Sequence, residues 1–165
     1  MLNLTAVGEL SLCQNYARLE LNMSIAPDAE QLRTEWLNRL DDLVGTIQSW
    51  ASSLDWSTRK IEVSLQDSEL GKYKAPALLL QFESVRIILE PIARSAPGVE
   101  GVVDLYLMPA FDDIASLYFT GGEWSVHYMF AGTPTVGDMR EAPAKPLSRD
   151  TLAEVLSEML ANAHS

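Results

Sequence analysis

Two histidines, one cysteine and twenty-three carboxylates are the groups in this chain equipped for acid–base, nucleophilic or metal chemistry. His164 stands next to the last residue, where chains usually fray, and makes a poor catalytic group. His127 lies between Val126 and Tyr128 in an alternating segment, on the face opposite Trp124. If the Trp124 face is interior, His127 looks out to solvent or to a partner. Cys13 is alone, so it forms no internal disulfide and builds no zinc site. Paired with His127 it would make a nucleophile and base, but only if the fold brings two distant positions together. No set of residues qualifies as catalytic from spacing, and His127 is the nearest candidate.

The carboxylates offer other chemistry, because paired acids hold Mg²⁺ or divide the work of acid and base. Asp112-Asp113 follows Pro109-Ala110-Phe111 in a turn-like stretch; Asp104 falls on a strand pattern, with Glu90 and Glu100 before it. Nuclease-type metal sites add a lysine two residues beyond a strand carboxylate. Glu83-Ser84-Val85-Arg86 and Asp104-Leu105-Tyr106 have none. There is no EF-hand loop, HExxH helix or G-x-S-x-G elbow, and no glycine-rich cradle ending in Lys-Ser or Lys-Thr. Gly132-Thr133-Pro134-Thr135-Val136-Gly137 carries a proline between its glycines and no lysine after them. The expectation is no bound metal and no cofactor.

Charge is unevenly placed. Between Arg94 and Arg140 there is no lysine or arginine, while Glu100, Asp104, Asp112, Asp113, Glu123 and Asp138 give residues 95–139 a formal charge of −6. Tyr106, Phe111, Tyr118, Trp124 and Tyr128 are interleaved with them. Acids among aromatics make a docking surface for a basic protein, where charge speeds association more than it tightens it. Asp104, Asp112, Asp113, Tyr118, Glu123 and Tyr128 are the expected contact residues. The competing expectation is a solvated acidic face with the aromatics inside.

These groups must be held by elements that the hydrophobic periodicity defines. Pro27-Asp28-Ala29-Glu30 opens a helix over 28–54, with proline in the first turn and early acids at the positive end of the dipole. Trp36, Leu40, Leu43, Ile47, Trp50 and Leu54 recur at steps of four and three, widened by Leu37, Val44 and Ala51. That stripe predicts a helix lying on a sheet. A coiled-coil or homodimer seam is the alternative, should the stripe prove exposed. Residues 17–25 alternate as a half-buried strand; residues 2–12 fit neither period, with a hairpin placed near Gln14-Asn15.

From Arg59 onward the period is two, with strands through Ile61–Leu65, 77–84, 86–93, 102–108, 115–120 and 123–130. Pro91 signals an edge or a bulge. Gly121-Gly122 is a two-residue hairpin turn, and the short connections favour an antiparallel meander. Residues 131–147, rich in Ala, Gly, Pro and Thr, read as a surface loop. Ser148 caps a final helix over 148–162, stapled by Leu147 and Leu152. The predicted architecture is a single α+β domain over 1–165: two layers, an antiparallel meander of five to seven strands, and both helices on one face.

Bulk properties narrow the class. At 165 residues and 18.2 kDa the chain is long enough to bury a core without staples. Its net charge of −11 argues against nucleic acid or an anionic membrane as partner. No apolar run approaches the length of a spanning helix, and no basic segment precedes Arg18, so a cytoplasmic location is expected. Two function classes follow. The first is a non-enzymatic interaction protein (adaptor, chaperone or immunity-type inhibitor) for a basic partner. The second is a small-molecule binder or hydrolase with a cleft between the sheet and 131–147, using His127 and nearby acids. A structure separates them by gathering His127 with two carboxylates in one cleft or scattering them.

Overall fold

A computed structural model describes residues 28–130 and 144–165. Cys13, the alternating segment 17–25, the hairpin placed at Gln14-Asn15 and most of the 131–147 loop lie outside the described residues.

Helix α1 (Ala29–Ser53) starts where Asp28 accepts a hydrogen bond from the Gln31 amide at 2.8 Å, with Glu30 in the first turn. Its stripe faces inward as predicted: Trp36, Leu40, Leu43, Val44, Ile47 and Ala51 are buried. Leu37, Trp50 and Leu54 are the exceptions, each only half-buried, and Trp50 sits on the margin of the stripe. The coiled-coil alternative has no support here, because the seam residues are used by the chain's own sheet.

Seven strands follow in chain order and in sheet order, each antiparallel to the next: β1 (Ser57–Asp67), β2 (Gly71–Phe82), β3 (Val85–Ala93), β4 (Val102–Leu107), β5 (Asp112–Thr120), β6 (Glu123–His127) and β7 (Ala144–Pro146). Helix α2 (Arg149–Ala163) closes the chain and packs on the sheet. The architecture is the α+β meander that the periodicity predicts, at the upper end of the expected strand number.

Local chemistry accounts for the turns. Gly121 and Gly122 both adopt positive φ, +60° and +85°, which lets the two-residue turn match the strand twist. At the β1–β2 turn the Asp67 carboxylate accepts from the Glu69 and Leu70 amides at 2.7 and 3.1 Å. The connection is three residues long, and β2 begins at Gly71, well ahead of the 77–84 strand read from the periodicity. Pro91 marks a bulge inside the sheet, not an edge: β3 lies between β2 and β4, and the β3–β4 register shifts between Pro91 and Ala93. The segment read as a loop up to residue 147 ends in β7, which pairs Ala144, Lys145 and Pro146 with His127, Val126 and Ser125.

One core joins both helices to the inner face of the sheet. Leu78, Leu80, Ile87, Leu89, Val103, Leu105, Ala115, Leu117 and Val126 meet the α1 stripe and Leu152, Val155, Leu156 and Met159 of α2. Ser148 caps α2 by accepting from the Thr151 amide, and half-buried Leu147 joins Leu152 against the core. Gly101 is needed at a close approach: a Cβ there would lie 2.8 Å from a Trp36 ring carbon.

Candidate docking groove and the opposite sheet face

The five described acids of 95–139 do not gather. Glu123 sits exposed at the β5–β6 turn, whereas Asp112 and Asp113 begin β5 at its far end, about 25 Å away along a nine-residue strand. Glu100 is exposed beside the start of β4, and Asp104 is half-buried within it. Asp138 lies outside the described residues. Tyr128 is buried at 2% exposure and offers no surface to a partner. Its hydroxyl donates to Asp113 Oδ1 at 2.8 Å, while Asn162 of α2 donates to Asp113 Oδ2 at the same distance. Asp113 thus ties the start of β5 to the residue that follows β6 and to α2. Of this acidic pair only Asp112 is exposed and without such bonds among the described residues.

On the face of the sheet away from α1 and α2, a polar row crosses four strands. Glu90 opposes Asp104, Asp104 opposes Ser116, and Ser116 opposes His127. Tyr118 stands on the same face, its ring edge-on to the His127 imidazole with centroids 4.6 Å apart. Tyr106 donates to Asp104 Oδ2 at 3.0 Å. Burial holds the Asp104 carboxyl above its ordinary 3.8, against the hydrogen bond from Tyr106, while buried Oδ1 has no partner among the described residues. Burial first, and then the charge of Asp104, holds the Tyr106 hydroxyl well above the usual tyrosine range.

This row does not make a hydrolytic triad. Asp104 and His127 are two strands apart, about 10 Å at the backbone, so the carboxylate does not orient the imidazole. His127 Nε2 lies 3.5 Å from Ser125 Oγ, at the limit of a hydrogen bond, and buried Nδ1 has no partner among the described residues. A base needs a third group to hold its tautomer, and none stands there. Among the described residues no group of three or more His, Cys, Asp or Glu could hold a metal ion.

An open concavity lies elsewhere, where α1 passes the β5–β6 hairpin. A cavity of about 360 Å³ is lined by Asp42, Leu43, Thr46, Trp50, Glu123, Trp124, Pro146 and Leu147. A second, of about 560 Å³, is lined by Glu35, Asn38, Arg39, Asp42, Phe119, Gly122 and Trp124. They share Asp42 and Trp124 and so form one groove. Its inner wall follows from strand alternation: Phe119 and Trp124 are cross-strand partners on the core-side face, ring centroids 5.1 Å apart. Its outer wall is the polar flank of α1, and buried Leu43 is part of the floor. Among the described residues Arg39 is the one cation lining either cavity, and it is engaged. Its guanidinium lies 4.1 Å from the Phe119 ring centroid and donates to the Glu100 carbonyl at 2.8 Å.

Glu123 and Trp124 are the part of the groove that the acidic–aromatic pattern picks out. Glu35, Asp42 and Trp50 come from α1 and were missed. Their signal was present as acids flanking the apolar stripe and a tryptophan at its margin, but a helical wheel does not say which flank a neighbouring hairpin will face. No helix among the described residues is long and apolar enough to cross a membrane. Comparison with protein-family models, with curated proteins and with solved structures finds no match for this chain.

Proposed function

We propose that the chain is a non-enzymatic interaction module, of the adaptor, chaperone or inhibitor kind, that receives a basic segment of a partner protein in the groove between α1 and the β5–β6 hairpin. The observation that carries this reading is the make-up of that groove. Three carboxylates, Glu35, Asp42 and Glu123, line a continuous concavity with Trp50, Trp124 and Phe119, and its single arginine among the described residues is already engaged. Desolvated aromatic area supplies affinity at interfaces, while surrounding charge selects the partner and steers its approach. The overall charge of −11 adds long-range attraction for a cationic partner.

The test is association of the full chain with short peptides mixing lysine or arginine with leucine, against peptides in which glutamate replaces the cations. Basic peptides are expected to bind, with an association rate that falls steeply as salt shortens the screening length to about 8 Å at physiological ionic strength. Glu35→Gln with Asp42→Asn should slow association and flatten that salt dependence. Equal binding of basic and acidic peptides, or no binding of either, overturns the proposal.

A further inference from the structure

We infer that the 360 Å³ cavity at the Trp50 end of the groove is an anchor pocket for one arginine side chain of the partner. This inference rests on the docking reading above and goes further by naming the recognised group. The pocket combines two indoles, Trp50 and Trp124, with two carboxylates, Asp42 and Glu123, over an apolar floor at Leu43. A long side chain that is apolar along its stem and cationic at its tip matches that combination. Its methylenes would cover Leu43, its head would meet an indole face, and the carboxylates would take its N–H donors.

Arginine fits better than lysine on two grounds. A guanidinium is planar, lies flat on an aromatic ring and presents several donors in a fixed fork, whereas an ammonium is a compact, strongly hydrated charge. The adjoining stretch of the same groove already shows this chemistry, with the Arg39 guanidinium over Phe119 while one of its nitrogens donates to a carbonyl. Trp124 continues that aromatic wall into the pocket, and Asp42 and Glu123 have no ion-pair partner among the described residues.

The full chain is titrated with a lysine–alanine peptide carrying one central arginine, with versions in which citrulline or lysine replaces that arginine. Tryptophan emission is read, since Trp50 and Trp124 are half-buried and Trp36 and Trp56 are buried. The arginine peptide is expected to perturb the emission and bind about tenfold more tightly than the citrulline peptide, with lysine between them. Asp42→Asn and Glu123→Gln, both at exposed positions that should not disturb folding, should each erase most of the difference. Trp124→Leu should do the same, with circular dichroism as the check on its fold. If all three peptides bind equally, or the preference survives both carboxylate substitutions, the anchor is overturned while the basic-partner reading stands. If no basic peptide binds at all, both fall.

Discussion

Two regions around β4–β6 set carboxylates beside aromatics but use them in opposite ways. On the α1 side, Asp42 and Glu123 are exposed, and Trp50 and Trp124 line an open groove. On the other face and at the start of β5, Asp104 and Asp113 accept hydrogen bonds from tyrosines and an asparagine and are half-buried. A carboxylate whose partners lie within the fold contributes to stability, or opposes it, through those partners. One without them contributes to the field that an approaching molecule meets. Acidic composition treats both alike; burial and bonding separate them.

The largest effect tests whether the groove is built directly on the core. Leu43 is 3% exposed, belongs to the core and also lines the anchor cavity. Leu43→Ala should cost about 2–5 kcal/mol in lost transfer energy and residual cavity, read by denaturant unfolding. A cost below about 0.5 kcal/mol would mean that the groove floor is surface, and the contrast with the bonded face would lose its basis.

Asp113→Ala comes next and breaks the comparison from the other side. It removes acceptors from the Tyr128 hydroxyl and Asn162, leaving a buried phenol without its 2.8 Å partner. A loss of about 1.5–3 kcal/mol is expected, with Tyr128→Phe costing less because it removes donor and penalty together. Asp112→Ala should stay within about 0.5 kcal/mol. If the two aspartates behave alike, Asp113 is not the tie described above.

Much of the fold was legible because the signals were local and periodic. The α1 stripe, the Gly121-Gly122 turn, the Ser148 cap and the strand alternation each follow from a few neighbouring residues. What depended on distant partners was less legible. Lys145 reads as loop from composition and becomes strand because Val126 lies beside it. Asp113 reads as a surface acid and is fixed by Tyr128 and by a helix forty-nine residues away. Half of the groove was hidden for the same reason: α1 and the β5–β6 hairpin meet only in three dimensions.

A pH experiment examines the bonded face with a smaller effect. The Asp104 carboxyl is held above its ordinary value chiefly by burial, so the folded chain binds a proton more tightly than the unfolded chain. Between the ordinary carboxylate value and the raised one, folding takes up protons, so this group makes stability fall as pH rises through that window. Glu90 lies opposite on β3 and adds a like charge when both are ionised. Asp104→Asn keeps an acceptor for the Tyr106 hydroxyl and removes the titration. Melting temperatures of the two chains should therefore diverge in the variant's favour as pH rises from acid to neutral. Parallel curves would mean that Asp104 is as well solvated as the acids of the groove.

The smallest effect belongs to the groove acids themselves. Asp42 and Glu123 are exposed and lack ion pairs among the described residues, so Asp42→Asn with Glu123→Gln removes no internal bond. A chain at −11 repels itself, and taking away two charges relieves a little of that repulsion. Stability should shift by no more than about 0.5 kcal/mol, and in the favourable direction at low salt. Added salt should shrink even that difference, because screening removes the repulsion in the parent chain and leaves little for the variant to gain. The size and the salt response together are diagnostic. A loss well above 0.5 kcal/mol that persists in high salt would show these carboxylates to be bonded within the fold, which would place them with Asp113 and leave the groove without unpaired charge for a partner.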